Sequence, residues 1–368
     1  IGATFGRGLY ILDDYSPLRQ VSADTLDQEA VLFPVRDAWW YIPRRTLGSE
    51  EKASQGDAFF TAPNPPFGAV VTYYLRDELK SSRAERRERE EEIEEQGGDT
   101  PYPGWAALRE EELAEDPAIL LIVRDAEGSV VRRLVGPVTA GFHRVAWDLR
   151  YPLLDPVKPD ADSSEMVGFL AAPGTYTVSL AKWQNGVATE LGTSQTFKVI
   201  RMRQGTLSGM SPDERVAFLA GVVAELDRDV GAAVAAIDEA QVRLQSIKRA
   251  LMRSTVADTS LDAEAQALER QLAEFEFRLI GDERRSEMGD PGPVSIKRRI
   301  QVVLTGNQVS TYGPTATHRR SLEIATEQFA EVRAELDRLL RHELPALQSR
   351  LDAAGVPWTP GRGVPGVR

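Results

Sequence analysis

The chain has 368 residues, 42% of them hydrophobic and 27% charged, a balance that suits two or three folded domains and excludes a wholly disordered polymer. Its net charge of -12 is the opposite of a phosphate-neutralising surface, so no nucleic acid partner is expected. With no cysteine there are no disulfides, thiolate zinc sites or cysteine nucleophiles, and no run approaches the roughly 20 apolar residues of a membrane span.

The opening Ile1–Leu12 reads as a strand without an initiator Met or apolar leader, so the chain is expected to begin inside a fold, with any signal peptide upstream. From there to about Ile200 short apolar runs rich in Val, Ile, Phe, Tyr and Trp alternate with Pro, Gly, Asn and Asp. The predicted strands are Phe5–Leu12, Ala30–Val35, Trp39–Ile42, Ala58–Thr61, Ala69–Leu75, Ile119–Arg124, Val130–Val135, His143–Leu149, Thr175–Trp183 and Ser194–Val199. Asp125-Ala126-Glu127-Gly128 carries turn chemistry and predicts a hairpin, while Pro173-Gly174 and Asn185-Gly186 bracket another strand. Two layers are needed to bury such strands, which predicts an antiparallel β-sandwich.

The stretch Ser81–Glu95 interrupts this texture with Arg and Glu almost exclusively. It has no apolar stripe, so the prediction is a solvated helix inserted between two strands, with a charged docking arm as the functional alternative.

Past about Ser208 the period becomes helical. Ser211-Pro212-Asp213-Glu214 is a capping box with Pro in the first turn. Val216, Leu219, Val223, Leu226, Val230, Ala233, Ile237, Ala240, Leu244, Ile247 and Leu251 then repeat at three- and four-residue steps. A second helix opens near Ser260 and fades at Gly289–Pro293, a short third precedes Gly306, and a long last one ends at Gly355-Val356-Pro357. Lengths of about 55–60 Å for the first and last helices match the second and third together. That predicts three antiparallel rods, the middle one broken, reversing near Thr255–Ser260 and Gly306–Thr315. Pro345 predicts a kink, since it removes the bond to the Arg341 carbonyl.

Two stretches resemble a known family. Phe5-Gly6-Arg7-Gly8-Leu9-Tyr10-Ile11-Leu12-Asp13-Asp14 is similar to the closing strand of bacterial sortilin-like, sialidase-type propellers described as BNR-repeat glycosyl hydrolases, although Phe5 stands where those proteins often have His. Gly141–Arg150, followed by Ala172–Val178, resembles the immunoglobulin-like module of flagellar hook-cap type that follows such propellers. The ending Ala354–Arg362 is similar to their tails. The resemblance implies export to the periplasm, cell surface or exterior, and an upstream propeller; the Asp-box pattern S-x-D-x-G-x-x-W does not occur in this chain.

The fold class expected is therefore multidomain β plus α. Residues 1–28 would end a β-propeller, 29–203 would form an Ig-like antiparallel β-sandwich with a charged helical insertion at about 77–117, 208–355 a long antiparallel helical bundle, and 356–368 a Pro/Gly-rich tail.

No residue set demands chemistry. Asp13 and Asp14 read as a strand-end turn, and His143 alternates with Val145, Trp147 and Leu149 as a packed histidine would. His318 and His342 are some six helical turns apart, too far to share a metal. Asp160–Glu165 begins like an EF-hand but lacks its sixth-position Gly and has Ala171 where the last ligand belongs, so neither metal nor cofactor is expected. Trp39, Trp40 and Tyr41 offer a possible sugar-stacking surface, of which only alternate members share one face. Val222, Val234 and Val242 on the first helix, and Leu340 and Leu344 on the last, fall off the predicted seams and mark a surface for a protein partner or a second copy. The expected role is a non-catalytic accessory and interaction region of an exported propeller protein. The alternatives are part of a glycoside hydrolase whose active site lies in the absent propeller, and a carbohydrate-binding module.

Overall fold

A computed structural model of the chain describes residues 2–3, 9–10, 13–43, 64–157, 168–203, 209–256, 258–290 and 292–363. The strand predicted at Ala58–Thr61 and the loop Asp160–Glu165 lie outside the described residues. Both sheets and helices are present, in two compact units: Ile1–Pro152 with Leu170–Thr206, and Leu153–Phe169 with Leu207–Arg368.

The first unit opens with β1 (Gly2–Ala3) paired antiparallel to β2 (Leu9–Tyr10). A 3₁₀ turn at Pro17–Gln20 and the one-turn helix α1 (Ala23–Leu26), capped by Ser22, lead into the sheets. One sheet is antiparallel, ordered β3 (Ala30–Leu32), β5 (Ala69–Leu75), β8 (Gly141–Trp147). The other places β4 (Ala38–Trp40) parallel to β10 (Val187–Arg201), then β9 (Gly174–Gln184), β6 (Ala118–Arg124) and β7 (Val130–Gly136), all antiparallel.

Strand alternation makes the core. It turns Val71, Tyr73 and Leu75 of β5 and Trp147 of β8 inward, together with Leu121 of β6, Val178 of β9 and Phe197 of β10, so both sheets feed one cluster. Trp147 is fully buried, its ring 5.1 Å from Tyr176 and 6.2 Å from Phe197, and its indole N–H donates to the Arg150 carbonyl at 3.0 Å. Gly68 makes this approach possible: its φ is +104°, and a Cβ there would collide with the Trp147 carbonyl. His143 stacks 5.1 Å from Tyr73, and its Nε2 lies 2.6 Å from the Thr139 carbonyl.

Two helices are inserted between β5 and β6: α2 (Ser82–Glu95), whose first turn is capped by Ser81, and α3 (Trp105–Leu113). Neither buries a residue, as the missing apolar stripe of Ser81–Glu95 requires.

The second unit is helical. The Ser211/Glu214 capping box starts α4 (Pro212–Ala217), which runs through a wide π-type turn at Phe218–Val223 into α5 (Ala224–Leu251). Then come α6 (Ser260–Ile280), the short α7 (Glu283–Glu287), α8 (Ile296–Gln308) and α9 (Ala316–Arg338), and after a second wide turn, Leu339–Glu343, α10 (Leu344–Ala353). Cross-helix bonds define their course. Lys248 reaches Glu269 and Gln241 reaches Glu276, so α5 and α6 are antiparallel. Arg278 meets Glu331 and Glu335, and Arg350 meets Glu264, so α6 also runs against α9 and α10.

The wide turns correct two details of the predicted seams. Each takes one residue more than an α-turn, so the inward face advances. In the first helix the buried set becomes Arg215, Leu219, Val223, Asp227, Val230, and the expected Val216 and Leu226 are only half-buried. In the last, Leu339 is followed inward by Leu344, which is 1% exposed; Leu344 is core and not part of an exposed surface. Pro345, where a kink is predicted, follows the Leu339–Glu343 turn, which widens the backbone where the proline ring would meet the carbonyl four residues back.

The tail residues Val356–Gly363 fold back. Arg362 donates to the carbonyls of Val356 at 3.4 Å and Pro357 at 2.8 Å and pairs with Asp352, while Gln348 donates to the Gly361 carbonyl at 3.5 Å.

Candidate functional site

The helical unit carries an open groove of about 630 Å³ between its first and last helical stretches. Its lining includes the small or apolar residues Gly221, Leu226, Phe329, Ala330 and Ala334. One wall, from the first wide turn and α5, adds Val222, Glu225 and Asp229; the other, from α9 and the second wide turn, adds Arg333, Asp337 and Arg341. Asp229 and Arg333 face each other at 4.0 Å, and the Arg319 guanidinium lies 5.3 Å from the Phe218 ring. Val222 is half-exposed in this groove.

Of the surface residues predicted on these helices, Val222 lines the groove. Val242 is exposed on α5, and Val234 and Leu340 are partly covered. Leu344 belongs to the core, as described above.

Two charged groups inside the helical unit escaped the sequence reading. Asp227 of α5 is 6% exposed, and the Lys297 ammonium of α8 reaches it at 2.9 Å and Asp155 at 3.0 Å. Burial pushes the Asp227 carboxyl up, against the pull of Lys297. Burial opposes the charge on Lys297, yet its bonds to Asp227 and then Asp155 carry its pKa above the ordinary 10.5. Arg215, fully buried, donates to the Asn307 carbonyl at 2.5 Å, and Asn307 donates its own amide to the Val303 carbonyl at 2.7 Å. A usable signal was present: Asp227 falls between Val223 and Val230 at seam spacing, where a charge demands a partner.

In the sheet unit the aromatic run is divided by strand alternation. Trp40 is buried at 3% exposure, donates its indole N–H to the Ala171 carbonyl at 2.7 Å, and carries the Arg201 guanidinium 5.0 Å from its ring. It is a core residue, which removes it from the binding surface. Trp39 stands on the opposite, exposed face, and Tyr41, just past the strand, is also exposed and edge-on to Phe67 at 5.0 Å. Ile200, the β10 partner of Trp39, extends that face.

The remaining candidates serve structure. Asp14 accepts from the backbone and hydroxyl of Ser16 and lies 3.8 Å from Arg36; burial raises its pKa, and these partners outweigh it to bring the carboxyl below the usual range. His318 closes the capping box of α9, its Nδ1 accepting from the Thr315 N–H at 3.3 Å. Among the described residues no group of three or more His, Asp or Glu side chains is placed to hold a metal ion, and no helix is long and apolar enough to cross a membrane.

No family model, no curated protein and no solved structure matches this chain.

Proposed function

We propose that this chain is a non-catalytic interaction region whose helices offer a surface to a partner, a second copy of the chain first among them. The observation that carries this reading is the open groove between the first and last helical stretches, lined by a half-exposed Val222 and by the small residues Gly221, Ala330 and Ala334. Small residues leave room for a side chain from outside, and an exposed apolar lining favours its burial at about 25 cal/mol per Å². A second copy fits the lining: Glu225 and Asp229 stand on one side and Arg333 and Arg341 on the other, so a two-fold arrangement can exchange the Asp229–Arg333 pair, 4.0 Å apart within one chain, for the same pair between chains, while Arg341 keeps Asp337 at 2.6 Å.

In this reading the sheets form an Ig-like sandwich and the helices a three-rod antiparallel bundle with a broken middle rod. They follow the end of a propeller in an exported protein, as the resemblance of Phe5–Asp14 and Gly141–Arg150 implies. Any glycoside chemistry of the parent would then reside in the propeller. Assaying this chain alone against a panel of aryl glycosides tests that division: no turnover is expected, and turnover that survives repurification would overturn it.

A second reading is favoured by one observation, the exposure of both Trp39 and Tyr41 beside the buried Trp40. Such exposed rings suit stacking on a sugar ring, each stacked ring contributing about 1 kcal/mol. Retention on immobilised polysaccharide that is lost in Trp39→Ala would support it; retention that Trp39→Ala leaves intact would rule it out.

A further inference from the structure

The helical hairpin inserted between β5 and β6 has a charge pattern that its own fold does not satisfy. From Ser81 to Asp116 the chain carries thirteen carboxylates against five arginines, a net of -8 within a total of -12. In α2 the order of charge at the C-terminal end opposes the helix dipole. Arg83, Arg86, Arg87 and Arg89 alternate with only Glu85 and Glu88, and are followed by Glu90, Glu91, Glu92, Glu94 and Glu95, with no basic residue in the last turn. Carboxylates at a helix C-terminus repel the unsatisfied carbonyls there, so this arrangement costs stability unless a cation arrives from outside.

The same end of the hairpin exposes its aromatics. Arg86 holds α2 against α3 through paired bonds to Glu111 at 2.7 and 2.9 Å, while also binding Glu90 at 2.7 Å. From this anchor α2 runs on to the turn at Gly97, and α3, which starts at Trp105, runs back to Glu111, so the Glu90–Glu95 end lies at the same end of the hairpin as Trp105 and the preceding Tyr102. Those two rings meet edge-on at 5.7 Å, yet Trp105 is 81% exposed and Tyr102 62%. Pro101 and Pro103 flank Tyr102 and restrict its backbone.

We propose that this tip is a docking surface for an arginine-rich segment of a partner protein. Guanidinium groups stack on the faces of Trp105 and Tyr102, and the neighbouring Glu91, Glu92, Glu94 and Glu95 neutralise them. The occupant also supplies the positive charge that the C-terminal end of α2 lacks. Arginine is favoured over lysine because its planar, weakly hydrated cation can stack and hydrogen-bond at once.

The test uses the full chain and a fluorescein-labelled oligo-arginine peptide, with oligo-lysine of equal length beside it, read by fluorescence anisotropy at physiological salt. Three variants are compared: Tyr102→Ala with Trp105→Ala; Glu91, Glu92, Glu94 and Glu95 all changed to Gln; and, as a charge-matched control on the helical unit, Asp238→Asn, Asp262→Asn, Glu274→Gln and Glu327→Gln, all at exposed positions. The expected result is binding of oligo-arginine in preference to oligo-lysine, weakened about tenfold or more by each hairpin variant and less than about twofold by the control. No binding by the unaltered chain, equal affinity for both peptides, equal loss in the control, or an aromatic variant that binds normally would each overturn the proposal. Circular dichroism confirms that the variants keep their helicity; none of the altered side chains is buried.

Discussion

The Lys297 ammonium of α8 lies 2.9 Å from the carboxylate of Asp227 on α5, inside the helical unit. A buried ion pair owes little net stability to its own attraction, but removing Lys297 strands the buried Asp227, whereas removing Asp227 leaves Lys297 its bond to Asp155. Lys297→Met should therefore cost about 3 kcal/mol and Asp227→Leu less, and the two together should cost less than the sum of the singles. Urea titrations of both singles and the double measure this; strictly additive losses would mean that the two groups act independently.

The same pair predicts a pH limb. Lys297 has a pKa raised above 10.5 in the folded chain, so its contribution is fully present below that value and lost as pH rises through the folded pKa. The difference in melting temperature between the unaltered chain and Lys297→Met should shrink as pH rises beyond about 10.5. A constant difference through that range would show that the ammonium is not what holds Asp227.

Trp147→Ala should remove about 3–5 kcal/mol, because the indole is fully buried between Tyr176 and Phe197 and leaves a large cavity. A loss below about 1 kcal/mol in denaturant would contradict that placement.

The wide turn before α10 can be tested by two leucines four positions apart, Leu340 within it and Leu344 just after it. Leu344→Ala should cost about 2–4 kcal/mol and Leu340→Ala under about 1, since only Leu344 is enclosed. Equal costs would restore the unbroken α-helical register in which both lie off the seam.

How far the residues alone carry can be seen at particular positions. The Ser211/Glu214 box marked the start of α4 because its bonds are local, and the charged stretch from Ser81 stood out because an absent apolar stripe is visible without tertiary information. The inward place of Trp147 followed from alternation along one strand. Leu344 was missed because a π-type turn resets the face of the helix and Leu339–Glu343 does not announce it by composition, although Pro345 hints at it; Asp227 sat at seam spacing after the first such turn, where Leu226 offered the apolar alternative one residue earlier. The groove was out of reach because it depends on which two helical stretches flank each other. Gly221, Ala330 and Ala334 acquire meaning only when they face one opening.

The central claim, association through that groove, is tested most directly by sedimentation velocity across a range of chain concentrations. The unaltered chain should form a dimer, and Val222→Glu with Ala330→Glu, which places a charge on each side of the groove at exposed positions, should sediment as a monomer with unchanged helicity. A chain that stays monomeric throughout, or a double variant that dimerises as well as the unaltered chain, would contradict the account.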